Sequence, residues 1–113
     1  MRKTVKIDGR DVELKVNARV PLDYAEYFGR ELEPDFHEMV KGFSGVEDGR
    51  IPWSSILIAE RMTYIMARKA NPEITVKFDE WLDQIDCFSV DLIPEIVTLW
   101  MESAKQTVTP KNV

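Results

Sequence analysis

Residues 71–95 read NPEITVKFDEWLDQIDCFSVDLIPE, and two interpretations compete for them. Asp79, Glu80, Asp83 and Asp86 crowd together as an acidic catalytic or metal-binding cluster would. Phe78, Trp81, Leu82 and Ile85 stand among them at i, i+3, i+4 and i+7, the spacing that brings side chains onto one face of an α-helix. The acids then fall on the opposite face, toward solvent or a partner. Asp79 and Glu80 are also favoured at the positive end of the helix dipole. The stretch lacks the DxDxDG loop of a calcium site, and its acids are spaced for a helix and not for a converging oxygen cage. We read it as an amphipathic helix that needs something to pack on.

Working outward, CFS at residues 87–89 breaks the pattern, and Asp91 is placed to cap a last helix with Pro94 in its first turn, where a missing N–H is harmless. That helix offers a wide apolar face of Leu92, Ile93, Ile96, Val97, Leu99, Trp100 and Met101. Upstream, WSSILIAERMTYIMARKA at residues 53–70 carries apolar side chains around most of a helical circumference, with Arg61 and Arg68 on the remaining polar strip. A helix apolar nearly all round is buried by several neighbours, so this one is predicted to be central, opened by Pro52. SGVEDGRIP before it combines glycines, acids and a proline and is predicted to be a mobile loop.

VPLDYAEYFGRELEPDFHEMVKGF reads as two short helices. Pro21 suits the first turn of one, Gly29 its left-handed end, and Pro34 the opening of the other, whose inward face is Phe36, Met39, Val40 and Phe43. At the start, TVKIDGRDVELKV alternates apolar and polar residues about Asp8-Gly9. Asp-Gly between alternating runs is a strong hairpin signal, because both turn positions require positive φ. Val5, Ile7, Val12, Leu14 and Val16 form its apolar set. The predicted fold is mainly α, of the α+β class: an N-terminal β-hairpin followed by a small bundle of about five helices. One domain spans 1–113, divided into the hairpin at 1–18, the bundle at 21–104 and a flexible polar tail at 105–113.

A chain of 113 residues, 44% hydrophobic and 31% charged, is sized for one core and composed to fold. Its longest apolar runs are a few residues and MRKTVKIDGR has no apolar segment, which predicts neither a membrane span nor a secretory signal, and a cytoplasmic location. The net charge of −5 argues against a nucleic-acid surface. Protein partners are expected instead. The charge is uneven, with Arg2, Lys3, Lys6, Arg10, Lys15 and Arg19 early and no base among residues 78–102, a polarity that fits two solvated surfaces or head-to-tail homo-oligomers. Cys87 stands alone, so no internal disulfide and no CxxC motif is expected; a small buried apolar role is.

No catalytic pattern emerges. His37 lacks a second histidine four residues on, and Ser54-Ser55 lies at a helix start, where serines cap. GxSxG, P-loop and GxGxxG patterns are missing, so we expect a non-enzyme with no catalytic, metal or cofactor residues and no cofactor.

The order of features resembles a known family. A basic hairpin precedes ARVPLDYAEYFGREL, then ERMTYIMARKANPEI, FDEWLDQID and LIPEIVTLWMES. This is similar to the tail assembly chaperones of long-tailed (siphovirus-type) bacteriophages and prophages. In that family a tyrosine-to-FGR segment, an alanine-rich helix ending near Asn-Pro, and a Phe-x-x-Trp-Leu helix recur in this order. The resemblance covers nearly the whole chain through short motifs, and SGVEDGRIPW is longer than the pattern needs. It implies a protein of the host bacterial cytoplasm, absent from the mature virion, that binds the tape measure protein, keeps it soluble and helps recruit tail tube subunits. It also implies two gene products, the longer made by ribosomal slippage, for which Pro110-Lys111-Asn112 permits a suitable codon run. The matching residues are mostly apolar fold positions and assign no partner-binding residue. A small helical regulator or adaptor, such as an antitoxin or transcription-associated protein, is the alternative; an enzyme subunit completed by a partner chain is a third.

Overall fold

A computed structural model describes residues 1–45 and 50–104 in full and the helical backbone of 105–107. Its elements are β1 (Arg2–Ile7), β2 (Arg10–Lys15), α1 (Val20–Phe28), α2 (Leu32–Ser44), α3 (Trp53–Ala70), α4 (Phe78–Asp83) and α5 (Leu92–Thr107). The predicted class is the observed one, a hairpin followed by five helices. Four residues of the predicted loop, 46–49, lie outside the described residues, as do residues 108–113 with the slippage site at 110–112.

The hairpin turns where Asp8 and Gly9 take φ of 53° and 75°, the left-handed values its two-residue turn requires. Strands pair antiparallel with Val5 opposite Val12 and Ile7 opposite Arg10. Val5, Ile7, Leu14 and Val16 are buried and Val12 half-buried, so the alternating set faces the helices. The Asp8 carboxylate accepts the backbone N–H of Asp86 at 2.7 Å and of Cys87 at 3.0 Å, tying the turn to the chain just beyond α4. Most of the basic character of the hairpin is matched nearby: Arg2 pairs with Glu13, Lys6 with Asp11, and Lys3 with Glu95 of α5.

α3 is the central helix. It touches β2, α1, α2, α4 and α5, and buries Ile58, Ala59, Met62, Tyr64, Ile65, Met66 and Ala67. Each large apolar side chain so buried contributes about 1.5–3 kcal/mol. α2 crosses it closely at Gly42, where a Cβ would overlap Ser55 Oγ and lie 3.2 Å from Ser55 Cβ. Ser55 is fully buried, and its hydroxyl has no hydrogen-bond partner among the described residues. The serines therefore do not cap α3: the N-cap is Pro52, and no side chain completes the cap.

Gly29 ends α1 at φ 67°, its N–H bonded to Ala25 O at 2.8 Å. This left-handed step turns Arg30 back onto Asp35 in the first turn of α2. The guanidinium meets the carboxylate with two 2.8 Å hydrogen bonds, one from Nε and one from Nη2. Tyr24 Oη donates a third at 2.7 Å, and Arg61 stands 3.9 Å away. Asp35 is only 3% exposed, a buried charge made tolerable by this surround.

α4 is shorter than the apolar spacing predicts, ending at Asp83. Ile85 keeps its place through a tight turn, its N–H bonded to Leu82 O at 3.0 Å. Trp81 is buried, Phe78, Leu82 and Ile85 half-buried, and Asp79, Glu80, Asp83 and Asp86 exposed, which is the expected division of faces. On α5, Leu92, Ile93, Ile96 and Leu99 are buried while Met101 is 51% exposed and lies off the packed face. No helix among the described residues is long and apolar enough to cross a membrane.

Candidate functional site

α3 is covered unevenly. In its C-terminal half, Tyr64 meets the rings of Tyr27, Phe78 and Trp81, each with centroids 5.3–5.4 Å away. One to three turns earlier, the same side of the helix carries Trp53, Ile56, Leu57 and Glu60 at i, i+3, i+4 and i+7. Trp53 is 88% exposed, and Ile56, Leu57 and Glu60 are half-buried. This corrects the expectation of a helix buried nearly all round. Periodicity marks a face as apolar, but α4, six residues long, brings its aromatic side chains to Tyr64.

Glu60 is the charged member of that stripe. Burial alone raises its carboxyl above the usual glutamate range, and no described residue gives it a hydrogen bond or an ion pair. An apolar surface led by an exposed tryptophan, with one unmatched carboxylate, has the composition of a protein-binding surface: aromatic anchors are enriched at binding hot spots. A partner with an apolar helical face and a basic residue fits both features.

The expected polar strip of Arg61 and Arg68 is packed on rings. Arg61 lies over Phe28 at 5.7 Å, and Arg68 over Tyr27 and Tyr64 at 5.2 Å from each. A guanidinium is weakly hydrated and planar, so it stacks on aromatic faces where a lysine would reach for water. Sequence spacing placed these arginines on one side of α3, but the rings they meet come from α1 and from α3 itself.

The extended segment after α3 is flanked by two clefts. One, of about 600 Å³, lies between the ends of α1 and α3 and is lined by Asp23, Tyr27, Arg68, Lys69 and Ile74 among others. The other, of about 390 Å³, lies between the hairpin and α4, with Ile7, Val12, Val76, Trp81 and Ile85 in its wall and Arg10 and Glu73 at its rim. Ile74 and Thr75 line both. Tyr64 Oη fixes the segment by donating to Val76 O at 2.6 Å, and burial, with the neighbouring Tyr27 hydroxyl, pushes the Tyr64 phenol up to about 12.

The residues singled out from the sequence do not converge on chemistry. Asp79, Glu80, Asp83 and Asp86 are exposed, and among the described residues no group of three His, Cys, Asp or Glu side chains is placed to hold a metal ion. His37 is exposed on α2. Cys87 is exposed and not buried, because Asp8 captures its backbone N–H at the surface. Trp53 as an exposed anchor, Glu60 and Asp35 were all missed. For Asp35 a signal existed: an acid in a helix first turn, five residues after an arginine that follows a glycine. No family model, no curated protein and no solved structure matches this chain.

Proposed function

We propose that this chain is a tail assembly chaperone of a long-tailed phage or prophage. It works by surface contact and not by catalysis, in the bacterial cytoplasm, and does not remain in the virion. It docks an amphipathic helix of the tape measure protein on the α3 stripe of Trp53, Ile56, Leu57 and Glu60, and helps bring tail tube subunits to it. The ordered resemblance of the hairpin, FGR, Asn-Pro and Phe-x-x-Trp-Leu segments motivates the reading.

The observation that supports it best is Trp53, 88% exposed at the head of a half-buried stripe on the central helix. A tape measure protein is long, helical and apolar along one face, and such faces aggregate unless covered. A helix laid in register on Trp53, Ile56 and Leu57 hides its apolar side, while a lysine or arginine on it meets Glu60. Net charge of −5 helps keep the complex in solution.

The test is co-expression with the tape measure protein encoded nearby. We expect a higher soluble yield of that protein, a complex on gel filtration, and loss of the complex with Trp53→Ala. A tape measure that stays insoluble with no complex recovered rejects the assignment.

A further inference from the structure

The larger cleft holds a cation whose charge is unmatched among the described residues. Its other charges are matched. Lys69 Nζ lies 2.7 Å from Asp23, Arg19 Nε lies 2.9 Å from Asp23, and Arg19 Nη2 lies 3.6 Å from Glu26. Arg68 has no carboxylate within ion-pair distance among the described residues, and its only side-chain hydrogen bond is a long one, 3.4 Å from Nη1 to Tyr64 Oη. Among the described residues Lys41 and Lys77 also lack an ion pair but are exposed, and Lys15 is half-buried on β2; Arg68 is half-buried in the wall of a cleft.

The rings of Tyr27 and Tyr64, with centroids 5.3 Å apart, both lie 5.2 Å from the Arg68 guanidinium carbon and so pack on one side of it. Tyr27 is itself held, its hydroxyl accepting the Phe78 N–H at 2.8 Å. The guanidinium also lines the cleft, and it carries five N–H donors, of which one is engaged, with Tyr64 Oη, among the described residues. A rigid planar fork with free donors is matched by a carboxylate, which it takes through two parallel charge-assisted hydrogen bonds. Tyr27, Ile65, Pro72 and Ile74 supply apolar wall for the methylenes of an incoming side chain. At about 600 Å³ the cleft has the volume of a small-ligand site.

We propose that Arg68, packed on the rings of Tyr27 and Tyr64 in the α1–α3 cleft, is the anchor for an Asp or Glu side chain of the protein partner. Charge complementarity selects the occupant. Asp23 is matched by Arg19 and Lys69, and Glu26 by Arg19, so Arg68 is left as the charge that an incoming carboxylate answers. This deepens the proposed helix-docking role by giving the partner a second, acidic contact beside its contact with the α3 stripe.

Two measurements separate the anchor from the chaperone reading. The first needs no natural partner: arginine Nε–H resonances are followed by NMR while the intact protein is titrated with N-acetyl-glutamate N-methylamide, with its glutamine counterpart, and with inorganic phosphate. A saturable shift at Arg68 with the glutamate probe and none with the glutamine probe is expected, lost in Arg68→Gln and retained in Glu60→Gln. No saturable shift with the glutamate probe, or a stronger response to phosphate, overturns the proposal. The second uses the co-expressed tape measure protein. Arg68→Gln should weaken the complex about 10- to 100-fold, the worth of a charge-assisted hydrogen bond, with an unchanged melting temperature showing that the fold is intact. Wild-type affinity in Arg68→Gln, while Trp53→Ala abolishes binding, removes the anchor and leaves the chaperone reading standing. No complex with wild type, together with a positive titration, does the reverse.

Discussion

Gly42 and Ser55 meet where α2 crosses α3, and Gly42 has no room for one more carbon. A Cβ at Gly42 would overlap Ser55 Oγ and stand 3.3 Å from Pro52 Cγ. Gly42→Ala should therefore cost about 1–3 kcal/mol through overpacking, despite the better helix propensity of alanine. Ser55→Ala removes a buried hydroxyl without a partner among the described residues and should be neutral or stabilising. The double variant should recover much of the loss. Urea denaturation of all four proteins checks this, and strictly additive effects would contradict the contact.

The tryptophans should separate cleanly. Trp81 is 7% exposed against Tyr64 and Phe78, so Trp81→Ala should cost about 3–5 kcal/mol. Asp83→Asn and Trp53→Ala, both at exposed positions, should stay within about 0.5 kcal/mol. Chemical denaturation measures all three. Acrylamide should quench Trp53 far more than Trp81 in proteins that retain one tryptophan each.

Acid should unfold the protein through two aspartates. The hydrogen bonds from Arg30 hold the Asp35 carboxyl below its ordinary value of 3.8 against the opposing effect of burial, and Tyr24 adds to them. At Asp23 burial pushes upward, but the hydrogen bonds from Lys69 and Arg19 outweigh it. Both folded values lie below the unfolded ones. Their stabilisation is thus fully present above about pH 4 and is lost as pH falls from there through the folded values. Melting curves from pH 7 to pH 2.5 should show this drop, and Asp35→Asn should flatten it.

Glu60 carries the opposite sign. Its folded carboxyl titrates above the ordinary 4.5, so ionisation is harder in the folded state and stability declines as pH rises through that range. Glu60→Gln should melt higher than wild type at pH 7 and alike at pH 3. A lower melting point at pH 7 would mean that Glu60 has a cationic partner.

Asp8 serves both the turn and the chain beyond α4. Asp8→Gly keeps the positive φ and loses the carboxylate, so the Asp86 and Cys87 amides, bonded at 2.7 and 3.0 Å, should exchange with solvent faster while the hairpin persists. Hydrogen exchange followed by NMR reads this residue by residue. Unchanged protection at both amides would show that Asp8 does not hold them.

The local elements were legible because their causes are local. Asp8-Gly9 between alternating runs required a two-residue hairpin, Gly29 after YAEYF a left-handed helix end, and the spacing of Phe78, Trp81, Leu82 and Ile85 a face turned inward. Each depends on backbone sterics or on the period of one helix, which a sequence displays directly. The features that carry the functional argument depend on which second element arrives at a face. Trp53 and Met62 are both apolar residues of α3, yet one is exposed and the other buried, because helical period records hydrophobicity and not coverage. Asp35 became a buried ion pair only when Gly29 turned Arg30 back upon it. Arg61 and Arg68 left solvent because rings from α1 reached them, and Ser55 is buried where Gly42 of α2 comes close. The sequence by itself determined the elements and their apolar faces; tertiary packing, by bringing together residues distant along the chain, decided which charges are matched and which apolar face stays open.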